Sequence, residues 1–124
     1  MKNIDIVTIV NAYQKSTGDL ALPASIMWKR RLNLVKLSQA KQIIDEALRE
    51  IDNRYMDDEH SLLTEKGDGR MVKPEYLAEF IRAKDEILSQ DTDVDVKKIL
   101  IDDLGNITLT DAQMDTLAFM IDDD

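Results

Sequence analysis

The clearest place to look for chemistry is Asp91-x-Asp93-x-Asp95, where three carboxylates at alternate positions repeat the opening spacing of a calcium-binding loop. With Asp91 as the first loop position, the sixth should be glycine and is Val96. The twelfth should be a bidentate glutamate and is Asp102. No residue is left to make the sharp turn that wraps such a loop around an ion, so the triplet reads as a solvated acidic edge. His60, the only histidine, ends the run Asp57-Asp58-Glu59-His60. Carboxylates beside an imidazole can share a proton or a metal ion with it, but there is no second histidine and no cysteine to complete a nitrogen or sulfur ligand set. His60 is therefore expected in a surface loop. Gly67-Asp68-Gly69 lacks the longer spacing and the following Lys-Ser or Lys-Thr of a phosphate loop, and marks a turn. Neighbouring carboxylates such as Asp45/Glu46 and Asp102/Asp103 do not face each other on a helix, and no nucleophile has a base at a recognisable spacing. The expectation is a protein that is not an enzyme and uses no cofactor and no resident metal.

Lys29-Arg30-Arg31 is the one basic cluster. It is short, with Trp28 as its only interleaved aromatic, and is expected to pair with the acidic C-terminal half, within one chain or between copies. The net charge is −9 over 124 residues. Residues 1–60 carry 9 basic and 9 acidic side chains, whereas residues 61–124 carry 7 basic and 16 acidic. That half repels phosphate backbones, so no direct nucleic-acid partner is expected. Its negative field serves solubility first, and would also suit a basic protein partner. The longest apolar stretch, Ile6–Val10, is interrupted by Thr8 and too short to cross a bilayer. The first residues lack a signal-like apolar run, and with no cysteine the expected compartment is a reducing cytoplasm, with no membrane partner.

These residues have to be positioned by helices. Asn3 is expected to cap a first helix carrying Ile6, Ile9, Val10 and Tyr13 on one face, ended by Lys15-Ser16-Thr17-Gly18. Leu22-Pro23-Ala24 opens a second, and no breaker follows until Asp57-Asp58. Along residues 24–56, Leu37, Ala40, Ile44, Ala47, Leu48, Ile51 and Tyr55 form one stripe, while Trp28, Leu32 and Val35 project from nearly the opposite side. Either the helix breaks near Ser38 or it stays whole and packs different things at its two ends. Trp28 is expected to be a core residue on the first helix; the alternative places Trp28, Leu32 and Val35 in an interface with a second copy or another protein.

Residues 61–73 predict a short hairpin around Gly67-Asp68-Gly69. Pro74-Glu75 starts a helix with Leu77, Phe80, Ile81, Lys84, Ile87 and Leu88 inward, antiparallel to the second half of the long helix. Part of residues 91–101 is expected as a strand joining the hairpin. Thr110 with Gln113 suggests a capping box for a last helix bearing Met114, Leu117, Ala118 and Ile121, after which Asp122-Asp123-Asp124 should fray against the helix dipole. The predicted fold is one mainly α domain over residues 1–124: a long helix, a shorter antiparallel helix, terminal helices and a small β-hairpin or three-stranded sheet.

Taken in order, Leu22-Pro23-Ala24, Asp52-Asn53-Arg54-Tyr55, Val72-Lys73-Pro74-Glu75 with Phe80, Ile101-Asp102-Asp103-Leu104, and Leu109-Thr110 with Leu117 resemble a family of small acidic proteins of tailed phages and prophages of Gram-positive bacteria. The resemblance spans most of the chain through structural elements, and implies a phage context, hence a host cytoplasm, without any residue-level activity. The expected function is non-enzymatic protein binding by a phage accessory protein, as an inhibitor of a basic host protein. Two alternatives are a homo-oligomeric structural or assembly component of the particle, and a small enzyme or metal protein. The candidate interface residues are Trp28, Leu32, Val35, Asp91, Asp93, Asp95, Asp122, Asp123 and Asp124.

Overall fold

The structure is a computed structural model, and it describes residues 1–15, 22–105, 108 and 111–122. The chain runs α1 (Asn3–Lys15), α2 (Ala24–Arg54), β1 (Ser61–Leu63), β2 (Arg70–Val72), α3 (Pro74–Leu88), β3 (Ile99–Leu100), α4 (Asp111–Leu117) and β4 (Ile121–Asp122), with single 3-10 turns before and after α4. It is mainly α, as its periodicity predicts. No glycine or proline falls between Ala24 and Arg54, and α2 is one helix of 31 residues with no break at Ser38. At 1.5 Å per residue that rod is about 47 Å long.

One stripe of α2 is buried: Ile26, Asn33, Leu34, Leu37, Ala40, Ile44 and Ile51. Ile6 and Val10 of α1 pack against Leu37, Ala40 and Ile44. A second cluster joins Leu22 and Ile26 to Ile99, Leu104, Leu117 and Met120, and Phe119 packs on both clusters. α3 returns antiparallel along the C-terminal half of α2, with Phe80 against Tyr55 at 5.4 Å between ring centroids and Lys84 3.0 Å from Asp52. The β1–β2 hairpin pairs Ser61 with Val72, Leu62 with Met71 and Leu63 with Arg70. Its turn needs Gly67, whose φ of +69° is left-handed.

Two buried asparagines tie the segment after α3 onto the helices. The Asn33 amide donates to the Lys97 carbonyl at 2.8 Å, and its oxygen accepts the Lys97 N–H at 2.7 Å. A side chain thereby closes the ring that a neighbouring strand would close, in the middle of an apolar helix face. Asn3 donates to the Ile87 carbonyl at 2.8 Å and accepts from the Thr92 hydroxyl at 2.5 Å. Residues 91–97 become an extended strap, further held by the Thr92 N–H on the Met1 carbonyl at 2.9 Å.

The structure corrects several expectations. Trp28 is not core: it is 61% exposed. The strip between residues 91 and 101 does not join the hairpin in a three-stranded sheet, because side-chain amides take the place of a ladder along the strap. Only Ile99–Leu100 is strand, and it pairs in parallel with Ile121–Asp122. Asn3 does not cap α1, its side chain being spent on Ile87 and Thr92. On α3 the inward face is Tyr76, Phe80, Ile87 and Leu88, while Leu77 and Ile81 are 45% and 49% exposed, since α2 covers only a narrow band of it. The last helix stops at Leu117, where a tighter turn sets the fully buried Leu117 and Met120 three residues apart on one side. Ala118 is exposed, and Ile121 and Asp122 are paired rather than frayed. Ser16-Thr17-Gly18, Thr110, Asp123 and Asp124 lie outside the described residues.

Replacing Asn33 by alanine removes both strap bonds and leaves the Lys97 N–H and carbonyl unpaired. We expect a loss of about 2–3 kcal/mol in denaturant unfolding; a loss below about 0.5 kcal/mol would mean that the strap is held by its apolar contacts alone.

Candidate interaction surfaces

The face of α2 turned away from the core carries a row of exposed apolar side chains. At about 100° per residue, Trp28, Leu32, Val35, Gln39 and Ile43 fall on one stripe. Leu32 is half-buried, while Trp28, Val35 and Ile43 are 61%, 50% and 70% exposed. These large apolar side chains line one helix face rather than being scattered. Trp28, Leu32 and Val35 were legible from spacing; Ile43 was missed, although the same steps of three and four residues reach it. It lies next to the buried Ile44, and one sequence does not tell which of two adjacent isoleucines turns inward.

About a quarter turn around α2 lies a groove of about 400 Å³ between α2 and the strap. Ala40, Ile43, Ile44, Ala47, Ile87 and Val94 supply its apolar walls, and Lys36, Asp93 and Asp95 its charged rim. The strap explains the acidic side. Thr92, Val94 and Val96 are half-buried and Asp91, Asp93 and Asp95 are exposed, so the alternation of an extended chain sets three carboxylates in an outward row. Lys36 donates to the Asp95 carbonyl at 3.0 Å and lies 3.8 Å from its carboxylate. Asp93 and Asp95 thus come to the edge of the apolar α2 face. The backbone of Asp122 is carried away in β4, against Leu100.

The basic cluster does not pair as expected. Arg30 lies 4.7 Å over the Tyr13 ring, and its buried Nε has no hydrogen-bond partner among the described residues. Burial holds its guanidinium below the ordinary value, against the opposing pull of Tyr13. Among the described residues Lys29 and Arg31 make no ion pair, and the one basic side chain of α2 that meets the acidic half is Lys36.

The His60 loop is a structural junction. Asp57 Oδ1 sits 2.6 Å from His60 Nδ1 and accepts the His60 backbone N–H at 3.0 Å. The imidazole meets Tyr55 and Tyr76 edge-on at 5.4 and 4.7 Å, joining the end of α2 to the start of α3. Arg70 closes the loop from below, donating to Asp58 at 2.8 Å and to the Ser61 hydroxyl at 2.7 Å. Ligand atoms of Asp57, Glu59 and His60 lie within 4.8 Å of one another. The hydrogen bonding of Asp57 to His60 accounts for that closeness, and no metal is assigned to it. Among the described residues no helix is long and apolar enough to cross a membrane.

No family model, curated protein or solved structure matches this chain.

The His60 donors hold the Asp57 carboxyl below its ordinary 3.8. A lowered folded value means that this stabilisation is present above the unfolded value and is lost as pH falls through the folded one. Asp57→Asn should therefore flatten the decline in stability between about pH 5 and pH 2. Unfolding curves of the two proteins that stay parallel over that range would show the contact to be silent.

Proposed function

We propose that this protein is a non-enzymatic accessory protein that acts by binding another protein, with the strap side of α2 receiving a basic partner. One observation carries the reading: Asp93 and Asp95, two of the exposed row Asp91, Asp93, Asp95, edge an apolar groove whose far lip is the unpartnered α2 face. Apolar walls edged by two carboxylates against the single Lys36 suit an amphipathic segment bearing lysines or arginines. The walls supply affinity, and the carboxylates supply approach rate and choice of partner. Nothing about the groove asks for a reacting group. In the phage context suggested by resemblance, the partner is host-encoded and the protein acts in the host cytoplasm, as an inhibitor that occupies a basic surface.

The test is recovery of a partner from host lysate by the intact chain and by the Asp91→Asn, Asp93→Asn, Asp95→Asn variant. Removing three carboxylates that bond little inside the chain should leave the fold intact and cut recovery of a specific partner by roughly tenfold at low salt, with the difference shrinking at high salt. Equal recovery by both proteins at every salt concentration would remove the acidic row from the mechanism.

A further inference from the structure

The charges of α2 are segregated along its length. Residues 24–36 carry Lys29, Arg30, Arg31 and Lys36 with no acidic residue, and residues 45–52 carry Asp45, Glu46, Glu50 and Asp52 against a single Arg49. Arg54 follows in the last turn, so the contrast lies along the body of the helix rather than at its ends. Contacts inside the chain absorb part of it: Asp45 pairs with Lys41 at 2.6 Å, Asp52 with Lys84, Lys36 with Asp95, and Arg30 stacks on Tyr13. Lys29, Arg31, Glu46 and Glu50 make no ion pair among the described residues. These four flank or extend the exposed stripe of Trp28, Leu32, Val35, Gln39 and Ile43.

We propose that the α2 face is the contact with a second copy of this chain, the two α2 helices lying antiparallel about a twofold axis near Gln39. The inference rests on reading this face as an interface, and it names the occupant. An axis at Gln39 sets Val35 opposite the partner's Ile43, and Ile43 opposite the partner's Val35. The same register sets Trp28 opposite the partner's Glu50 and Leu32 opposite the partner's Glu46, with Lys29 and Arg31 each one residue out of step with the nearer carboxylate and Lys29 level with the partner's Arg49. Trp28 then lies along the stem of the glutamate and leaves water. A helix whose two halves carry opposite charge is complementary to itself only when reversed, so a parallel pair would set the Lys29–Arg31 clusters against each other. Arg49 is the one cation left in the acidic stretch. From Trp28 to Glu50 the contact is about 33 Å long and one helix wide, which places it among small interfaces and makes association depend on concentration. Gln39 and Ile43 belong both to this contact and to the wall of the groove beside the strap, so the two sites meet along that lip of α2.

Sedimentation equilibrium of the full-length chain tests this. The protein should be a concentration-dependent dimer at low salt. The variant K29E/R31E, and separately E46K/E50K, should weaken it by at least about tenfold each. The four substitutions combined in one chain should restore association, because an antiparallel pair is again complementary. Circular dichroism establishes that each variant keeps its helix content. A strictly monomeric wild-type chain at high concentration, or a fourfold variant that stays monomeric while folded, would overturn the proposal. Either result leaves the basic-partner reading standing, since that depends on Asp91, Asp93 and Asp95. Loss of partner capture by an intact dimer would do the reverse.

Discussion

The interaction on which the outer surface depends is the amide of Asn33 closed on the backbone of Lys97. Asn33 is fully buried on a stripe otherwise made of Ile26, Leu34, Leu37 and Ala40. A buried amide is costly unless it is bonded, and here both its donor and its acceptor are satisfied by the backbone of one residue. That requirement fixes where the strap crosses α2. Once Lys97 is placed there and Thr92 is placed at Asn3, the residues between them have to run extended. Alternation then turns Asp91, Asp93 and Asp95 outward and Val94 and Val96 inward. A polar pin of two side chains therefore produces the groove, its acidic rim and the open α2 face.

The rest of the molecule serves to keep α2 straight and only half covered. α1 and the C-terminal turns bury its inner stripe, while α3 and the His60 junction hold its far end through Tyr55, Phe80, Lys84 and Tyr76. Both supports lie on one side. A helix of 31 residues held along its inner stripe leaves the other side uncovered, and Trp28, Val35 and Ile43 stay in water.

Much of this could be read in the sequence. The faces of α1 and α2, the hairpin around Gly67 and the antiparallel course of α3 follow from period, proline placement and turn chemistry. The two asparagines could not be read, because a single polar residue within an apolar period looks like noise until its partner is known, and the partners of Asn33 and Asn3 lie 64 and 84 residues away. For the same reason residues 91–98 looked like part of a sheet. β3 and β4 are two residues each and carry no periodicity to recognise. Trp28 was expected inside because tryptophan is a large apolar residue; its position opposite Leu37 on α2 was the better guide.

Because Trp28 is the only tryptophan, its fluorescence reports directly on whether the α2 face is open and can be covered. In dilute protein the account predicts solvent-exposed emission that is readily quenched by a soluble quencher. As the concentration of the chain rises, the emission should move to shorter wavelength and lose quenching. Emission that is already short and protected in the dilute monomer, and unchanged by concentration, would contradict the claim that this face is a binding surface.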